Sequence, residues 1–265
     1  MRFFFHISYN GINYHGWQRQ KNALSVREVF ETSLEQVLKE SVECIGCGRT
    51  DSGVHANQFF FHVDLIKEWD FDLLFRLNKM MPRDISVFDI IPVEDKQHAR
   101  FDAISRTYDY FIHTFKDPFL NDRSSLYADG KLDLNKMNRA VQLISRYTDF
   151  YSFCLSPEKQ FGTICRISSA KLFSDCAGDR IRFQITSNRF LRGMIRTLVG
   201  KLLEIGTGKL SVEGFEHLLV NRIALNNTKP AFPQGLYLTK VTYPFLDLPP
   251  RTDLTDRKYN EWIEI

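Results

Sequence analysis

The sequence predicts an α+β protein built as two similar lobes. Three observations carry this. At 265 residues the chain exceeds one ordinary domain of about 100 to 200 residues. Segments with alternating apolar residues are interleaved with helical apolar stripes, and this mixed order occurs once in each half. The halves join near residues 96–105, which gives an N-terminal lobe at 1–98, a C-terminal lobe at 99–245 and a tail at 246–265.

In the first lobe, Arg2 to Tyr9 is rich in Phe and Ile and reads as a strand, closed by the turn pair Asn10-Gly11. Ser25 opens a capping box with Glu28, whose amide it accepts and whose carboxylate reaches back. Val26, Val29, Phe30, Leu34, Val37 and Leu38 then share a helical face. Val42 to Cys47 reads as a strand, 48–53 as a polar loop bounded by glycines, and Val54 to Leu65 as another strand. Residues 71–81 read as a helix that Pro82 stops before a short strand from Ile85 to Ile90.

The second lobe repeats the scheme. Arg106 to Phe115 alternates as a strand, and Leu134, Met137, Val141 and Ile144 mark a helix. Strands follow at 166–173 and 180–187. A long apolar helix is expected from about Phe190 to Ile205, with Gly206 as its natural end. Ser211 caps a shorter helix, and Leu236 to Tyr243 is the last strand. The tail, with Pro249-Pro250, is expected to be loosely held.

Composition narrows the function class. Hydrophobic residues at 43% and charged residues at 25% are globular proportions, which excludes wholesale disorder. No apolar run reaches the roughly 18 residues that a membrane helix needs. The apolar opening Phe3-Phe4-Phe5 is broken too early by His6 and Ser8 to read as an export signal, so a cytoplasmic protein with reduced cysteines is expected. The net charge of +3 is unevenly spread: residues 1–95 hold 10 Lys and Arg against 14 Asp and Glu, residues 96–245 hold 22 against 13, and the tail 3 against 5. A middle segment that basic fits a polyanion partner, although a solvated basic surface gives the same count.

Several motif fragments fail on spacing. Cys44-Ile45-Gly46-Cys47 is a single CxxC, and Cys154, Cys165 and Cys176 have no close histidine, so no zinc site and no metal are expected. Gly46-Cys47-Gly48-Arg49-Thr50-Asp51 lacks the third glycine of a dinucleotide fingerprint, and Gly206-Thr207-Gly208-Lys209 follows a helix rather than preceding one. The zinc-deaminase signature is missing. What remains is Gly48-Arg49-Thr50-Asp51-Ser52-Gly53-Val54-His55. Glycines at both ends let this loop turn sharply and display a carboxylate that could serve as nucleophile or base; an Asx turn in which Asp51 caps its own backbone is the plain alternative.

That loop closely resembles the G-R-T-D-[AST]-G-V-H loop of the tRNA pseudouridine synthase A family. Other segments are similar to family motifs in the same order: Gly16-Trp17-Gln18-Arg19-Gln20, Ser25-Val26, Pro82-Arg83-Asp84-Ile85, His98-Ala99-Arg100-Phe101 with Arg106-Thr107-Tyr108-Asp109-Tyr110, Met194-Ile195-Arg196 with Val199-Gly200, and Gly235-Leu236-Tyr237-Leu238. The matches run from about residue 9 to 243. The resemblance implies two lobes, each a mixed or antiparallel sheet with helices on one face, flanking a basic central cleft in a homodimer. It implies isomerisation of uridine to pseudouridine in the tRNA anticodon arm, at tRNA positions 38 to 40, with no cofactor.

The resemblance also assigns roles. Asp51 is the catalytic carboxylate, acting by covalent attack or by proton removal. Arg196 is the cation that keeps it ionised against the uracil, since burial alone would raise its pKa. Tyr108 stacks on the flipped base, while Tyr110, on the same strand face, has a plain core reading. Arg49 fills the space the base leaves. Arg189 and Arg192 are expected near Arg196 as RNA-phosphate contacts, with Arg192 at i−4 on the same helical side; all three arginines could instead line a solvated face. Three departures from the family pattern, Asn10, Arg27 and Thr107, put RNA site preference in question. An RNA-binding or tRNA-folding chaperone without turnover, and a nucleoside hydrolase, are the competing readings.

Overall fold

In β1 (Arg2–Tyr9) the residues Phe4, Phe5 and Ile7 are fully buried, so both faces of this strand are covered by protein. The computed structural model describes residues 1–66, 69–128, 130–225, 229–251 and 261–265. After β1 come α1 (Val26–Leu38), β2 (Ile45–Gly46), β3 (His55–Asp64), α2 (Leu73–Met80) and β4 (Ile85–Val93). Then follow β5 (Ser105–His113), β6 (Ser125–Leu126), α3 (Leu134–Ile144), β7 (Ile167–Ser174) and β8 (Arg180–Ser187). The chain continues through α4 (Met194–Gly206), α5 (Val212–Val220), β9 (Leu236–Thr242) and β10 (Ile263–Glu264). The class is α+β, as the interleaved patterns predict.

Contacts group the chain into two units, Met1–Ile104 with Tyr237–Leu254, and Ser105–Leu236 with Thr255–Ile265. The expected second lobe at 99–245 therefore differs from the grouping at its end. β9 pairs in parallel with β3, His55 opposite Tyr237 and Ala56 opposite Leu238, and so returns to the first unit. Sequence distance gives no hint of a pairing made by chain ends this far apart.

Within the first unit the strand order is β9-β3-β1-β4, with β2 beside β3. β1 runs antiparallel to both its neighbours. The core beneath is aromatic: Phe5 stacks on Phe61 at 4.8 Å, and Trp17 lies 4.4 Å from Phe59 and 5.4 Å from Phe61. Each such fully buried ring contributes about 1.5–3 kcal/mol. Ser25 caps α1 by accepting the Glu28 amide at 3.3 Å, but the Glu28 carboxylate lies 3.7 Å from Arg19. The strand expected at Val42–Cys47 shrinks to Ile45–Gly46, because the Cys44 amide donates to the buried Glu31 carboxylate at 3.0 Å instead of to a ladder. β4 runs past its expected end to Val93, through Pro92, which an edge strand tolerates.

The second unit holds the order β10-β7-β8-β5, with β6 parallel to β5. β5 and β8 pair antiparallel from Arg106 opposite Ser187 to His113 opposite Arg180. The tail is better anchored than its prolines suggest. Ile263 and Glu264 extend β7, Lys171 pairs with Glu264 at 2.9 Å, and the Leu248 carbonyl accepts from Gln58 in the first unit at 3.0 Å. Residues 252–260 of the expected tail lie outside the described residues.

Candidate active site

The loop from Gly48 to His55 links β2 to β3, and other segments of the first unit grip it at several points. Thr50 is buried, and its hydroxyl hydrogen-bonds the buried Tyr9 hydroxyl at 2.9 Å. The Gly53 amide donates to the Tyr14 carbonyl at 3.1 Å, and Val54 closes the turn by donating to the Asp51 carbonyl at 3.2 Å. Gly16 lies against the loop backbone at φ +79°, where a Cβ would come within 2.1 Å of the Thr50 carbonyl. Only glycine fits there, on conformation and on space alike. His55 ends the loop as a structural group: Nδ1 accepts the Gly11 amide at 3.1 Å, and the ring stacks on Tyr237 at 4.4 Å. Asp51 itself is half-buried, between the buried Thr50 and the exposed Ser52, and Arg49 is exposed. A loop fixed this firmly leaves the Asp51 backbone little freedom to move.

In the second unit Tyr108 sits on β5 opposite Ile185, buried, with its ring edge-on to Phe190 at 5.1 Å. Tyr110 is fully buried and hydrogen-bonded, donating to the Phe232 carbonyl at 2.7 Å, with the Ser125 hydroxyl 2.9 Å from its phenol oxygen. Burial pushes its phenol well above the ordinary range. Arg196 lies in the first turn of α4 and is half-buried. Its Nε donates to the Ala231 carbonyl at 2.7 Å, while the Ala231 amide donates back to the Arg196 carbonyl at 2.9 Å. This reciprocal pair straps residue 231 to α4 and fixes the start of the guanidinium. The strap was not legible beforehand, since a carbonyl acceptor leaves no residue signature.

The expected helix start at Phe190 is corrected. α4 begins at Met194, with Gly193 at φ +68° as its N-cap, so Arg189 and Arg192 precede the helix. The i, i+4 relation between Arg192 and Arg196 therefore does not apply. Leu155 causes the late start: its amide donates to the Arg192 carbonyl at 2.9 Å, and its side chain fills the space beside Gly193. Arg192 is exposed, whereas Arg189 is half-buried with its amide 3.4 Å from the Ser187 hydroxyl. Four cysteines are buried free thiols and Cys176 is exposed. Among the described residues no three His, Cys, Asp or Glu side chains converge as metal ligands.

Comparison with known proteins decides the family. The tRNA pseudouridine synthase family profile matches residues 147–244. The chain is 41% identical over 246 residues to tRNA pseudouridine synthase A of Porphyromonas gingivalis, covering 92% of this chain and 97% of that relative. It is 42% identical over 252 residues to tRNA pseudouridine synthase A of Azobacteroides pseudotrichonymphae, with the same coverage. The chain belongs to the tRNA pseudouridine synthase A family.

Within the tRNA pseudouridine synthase A family pattern, each of the three departing residues has a structural occupation here. Asn10 Oδ1 caps a short 3-10 turn by accepting the Ile12 amide at 3.1 Å, a task an aspartate would share. Arg27 Nε pairs with the buried Glu31 at 2.6 Å, and its Nη2 reaches Glu43 at 3.1 Å. The Thr107 hydroxyl meets the Thr186 hydroxyl across the β5–β8 pair at 2.9 Å.

Proposed function

We propose that the chain is a tRNA pseudouridine synthase that acts on uridines of the anticodon arm, at tRNA positions 38 to 40, with Asp51 as its catalytic carboxylate. The observation that carries the reading is the gripped loop, which keeps Asp51 half-buried while its neighbour Thr50 is tied to Tyr9. Membership of a family whose named relatives are tRNA pseudouridine synthases supplies the reaction.

The chemistry needs few parts. The N1–C1′ bond of the uridine breaks, the uracil turns, and C5 bonds to C1′. The C5 proton leaves, and N1, freed from the sugar, gains a proton in the product. Atoms and electrons balance within the substrate, so an anionic group near the sugar and base suffices to open the bond or take the proton. Asp51 fills that role. Arg196 supports its ionised form, Tyr108 stacks on the extruded uracil, and Arg49 occupies the vacated stack. Arg189 and Arg192 contact phosphates. A cleft between two lobes, a homodimer and a cytoplasmic setting complete the reading.

Pseudouridine mapping on unmodified tRNA tests it. The unmutated protein is expected to convert uridines at tRNA positions 38 to 40, and Arg196→Ala to lose most of that activity. Bound tRNA without product from the unmutated protein would replace the reading with a folding chaperone, and released uracil with a hydrolase.

A further inference from the structure

Among the contacts that hold the Asp51 loop, one neighbouring carbonyl meets it just past the aspartate. Tyr14 O accepts the Gly53 amide at 3.1 Å and lies 3.5 Å from the Ser52 hydroxyl. The same residue is pinned at its other end: the buried Tyr14 ring donates its hydroxyl to Asp84 Oδ1 at 2.6 Å. Asp84 is held in turn. Its Oδ2 accepts from Asn13 Nδ2 at 3.1 Å, and its main-chain carbonyl accepts the Asn10 amide at 2.8 Å. Burial and then the Asp84 carboxylate raise the Tyr14 pKa far above the ordinary phenol range, so the hydroxyl stays a donor. Tyr14 also donates its amide to the Gly11 carbonyl at 3.0 Å, which leaves the residue little freedom to shift.

A core tyrosine with a carboxylate partner ordinarily stabilises a fold and nothing more. Here the tyrosine's own carbonyl carries the loop that carries Asp51. We propose that Tyr14 and Asp84 are positioning residues, which set where the Asp51 carboxylate stands without touching the RNA. The inference rests on Asp51 being the catalytic carboxylate. It also gives Asp84, within the Pro82-Arg83-Asp84-Ile85 motif, a task in the reaction. A displacement of about 1 Å at a reacting group costs on the order of 100-fold in rate, so a partial release of the loop is expected to cost about tenfold.

The test uses the full chain with Tyr14→Phe, Asp84→Ala, Asp84→Asn, the Tyr14→Phe/Asp84→Ala double variant, and Asp51→Asn as reference. Single-turnover pseudouridine formation, tRNA affinity, thermal midpoint and hydrogen exchange at the Gly53 amide are read for each. Tyr14→Phe and Asp84→Ala are expected to slow turnover about tenfold and speed Gly53 exchange, with tRNA affinity and thermal midpoint nearly unchanged. The double variant should be no slower than the worse single one. Asp84→Asn should recover most of the rate, because its Oδ1 still accepts from Tyr14. Unmutated turnover in Tyr14→Phe overturns the inference, whatever the Gly53 exchange does. So does a loss of rate matched by equal losses of tRNA affinity and thermal stability, which marks a merely structural role. If Asp51→Asn remains active, the parent reading fails instead, independently of what Tyr14 does.

Discussion

Arg27 shows how a side chain that departs from a family pattern acquires a partner. Its guanidinium neutralises Glu31, whose carboxylate is buried and also accepts the Cys44 amide. Arg27→Gln, which restores the family's usual residue, should cost about 2 kcal/mol in urea unfolding. That is less than the ~3–5 kcal/mol of a fully buried pair, because Arg19 and the Cys44 amide remain with Glu31. The sites modified should not change, so an altered pseudouridine map would assign Arg27 to RNA recognition after all. Gly16→Ala is the harsher change. A methyl at φ +79°, aimed at the Thr50 carbonyl, should cost about 2 kcal/mol or more and slow pseudouridine formation. Asp51 was legible as a candidate because glycines bracket it and its neighbours match a family loop. The link from Asp84 through Tyr14 to that loop was not, since a tyrosine whose carbonyl and hydroxyl serve different partners looks like any other in sequence.

Elements were legible where periodicity and caps agree. The Ser25 hydroxyl accepts the amide three residues on, as the spacing requires, and Ser25→Ala should cost about 1 kcal/mol, read as a lower urea midpoint. β1, β3, α3, β8 and α5 fall close to the spans their apolar patterns predict. Two of the misplaced boundaries share one cause: a contact from outside the segment outcompetes the local pattern. Leu155 occupies the space in front of Gly193, so four residues of good helical pattern stay outside α4. Glu31 takes the Cys44 amide, so a strand becomes a side-chain-held segment. β6 and β10, two residues each, carry too little pattern to be seen.

For the whole molecule, protonation and charge set the dependence on conditions. His62 is buried, its Nδ1 accepts the Ala99 amide at 3.1 Å, and its pKa is lowered to about 4, chiefly by burial and then by Arg2 and His98. Unfolded, the same histidine takes a proton near 6.5. Its contribution is therefore complete above about pH 6.5 and lost as the pH falls towards 4. His6, also lowered chiefly by burial, acts in the same direction. The urea midpoint should drop between pH 7 and pH 5, and His62→Asn should flatten that slope; an unchanged slope would remove His62 as its source. Of the basic residues in the middle segment, Arg182 lies over Phe173 and 3.5 Å from Asp109, and Lys201 pairs with Glu204, so these serve the fold. Arg192 in the same segment is exposed; on the proposed reading it is among the residues left to meet phosphate, and tRNA affinity should fall steeply with salt. The two-unit grouping was only partly legible, because the strand that returns to the first unit lies at the far end of the chain. The most direct test of the central claim is single-turnover pseudouridine formation by Asp51→Asn, with tRNA affinity measured on the same preparation. Unchanged affinity with no detectable pseudouridine is the predicted result, and turnover at the unmutated rate would contradict it.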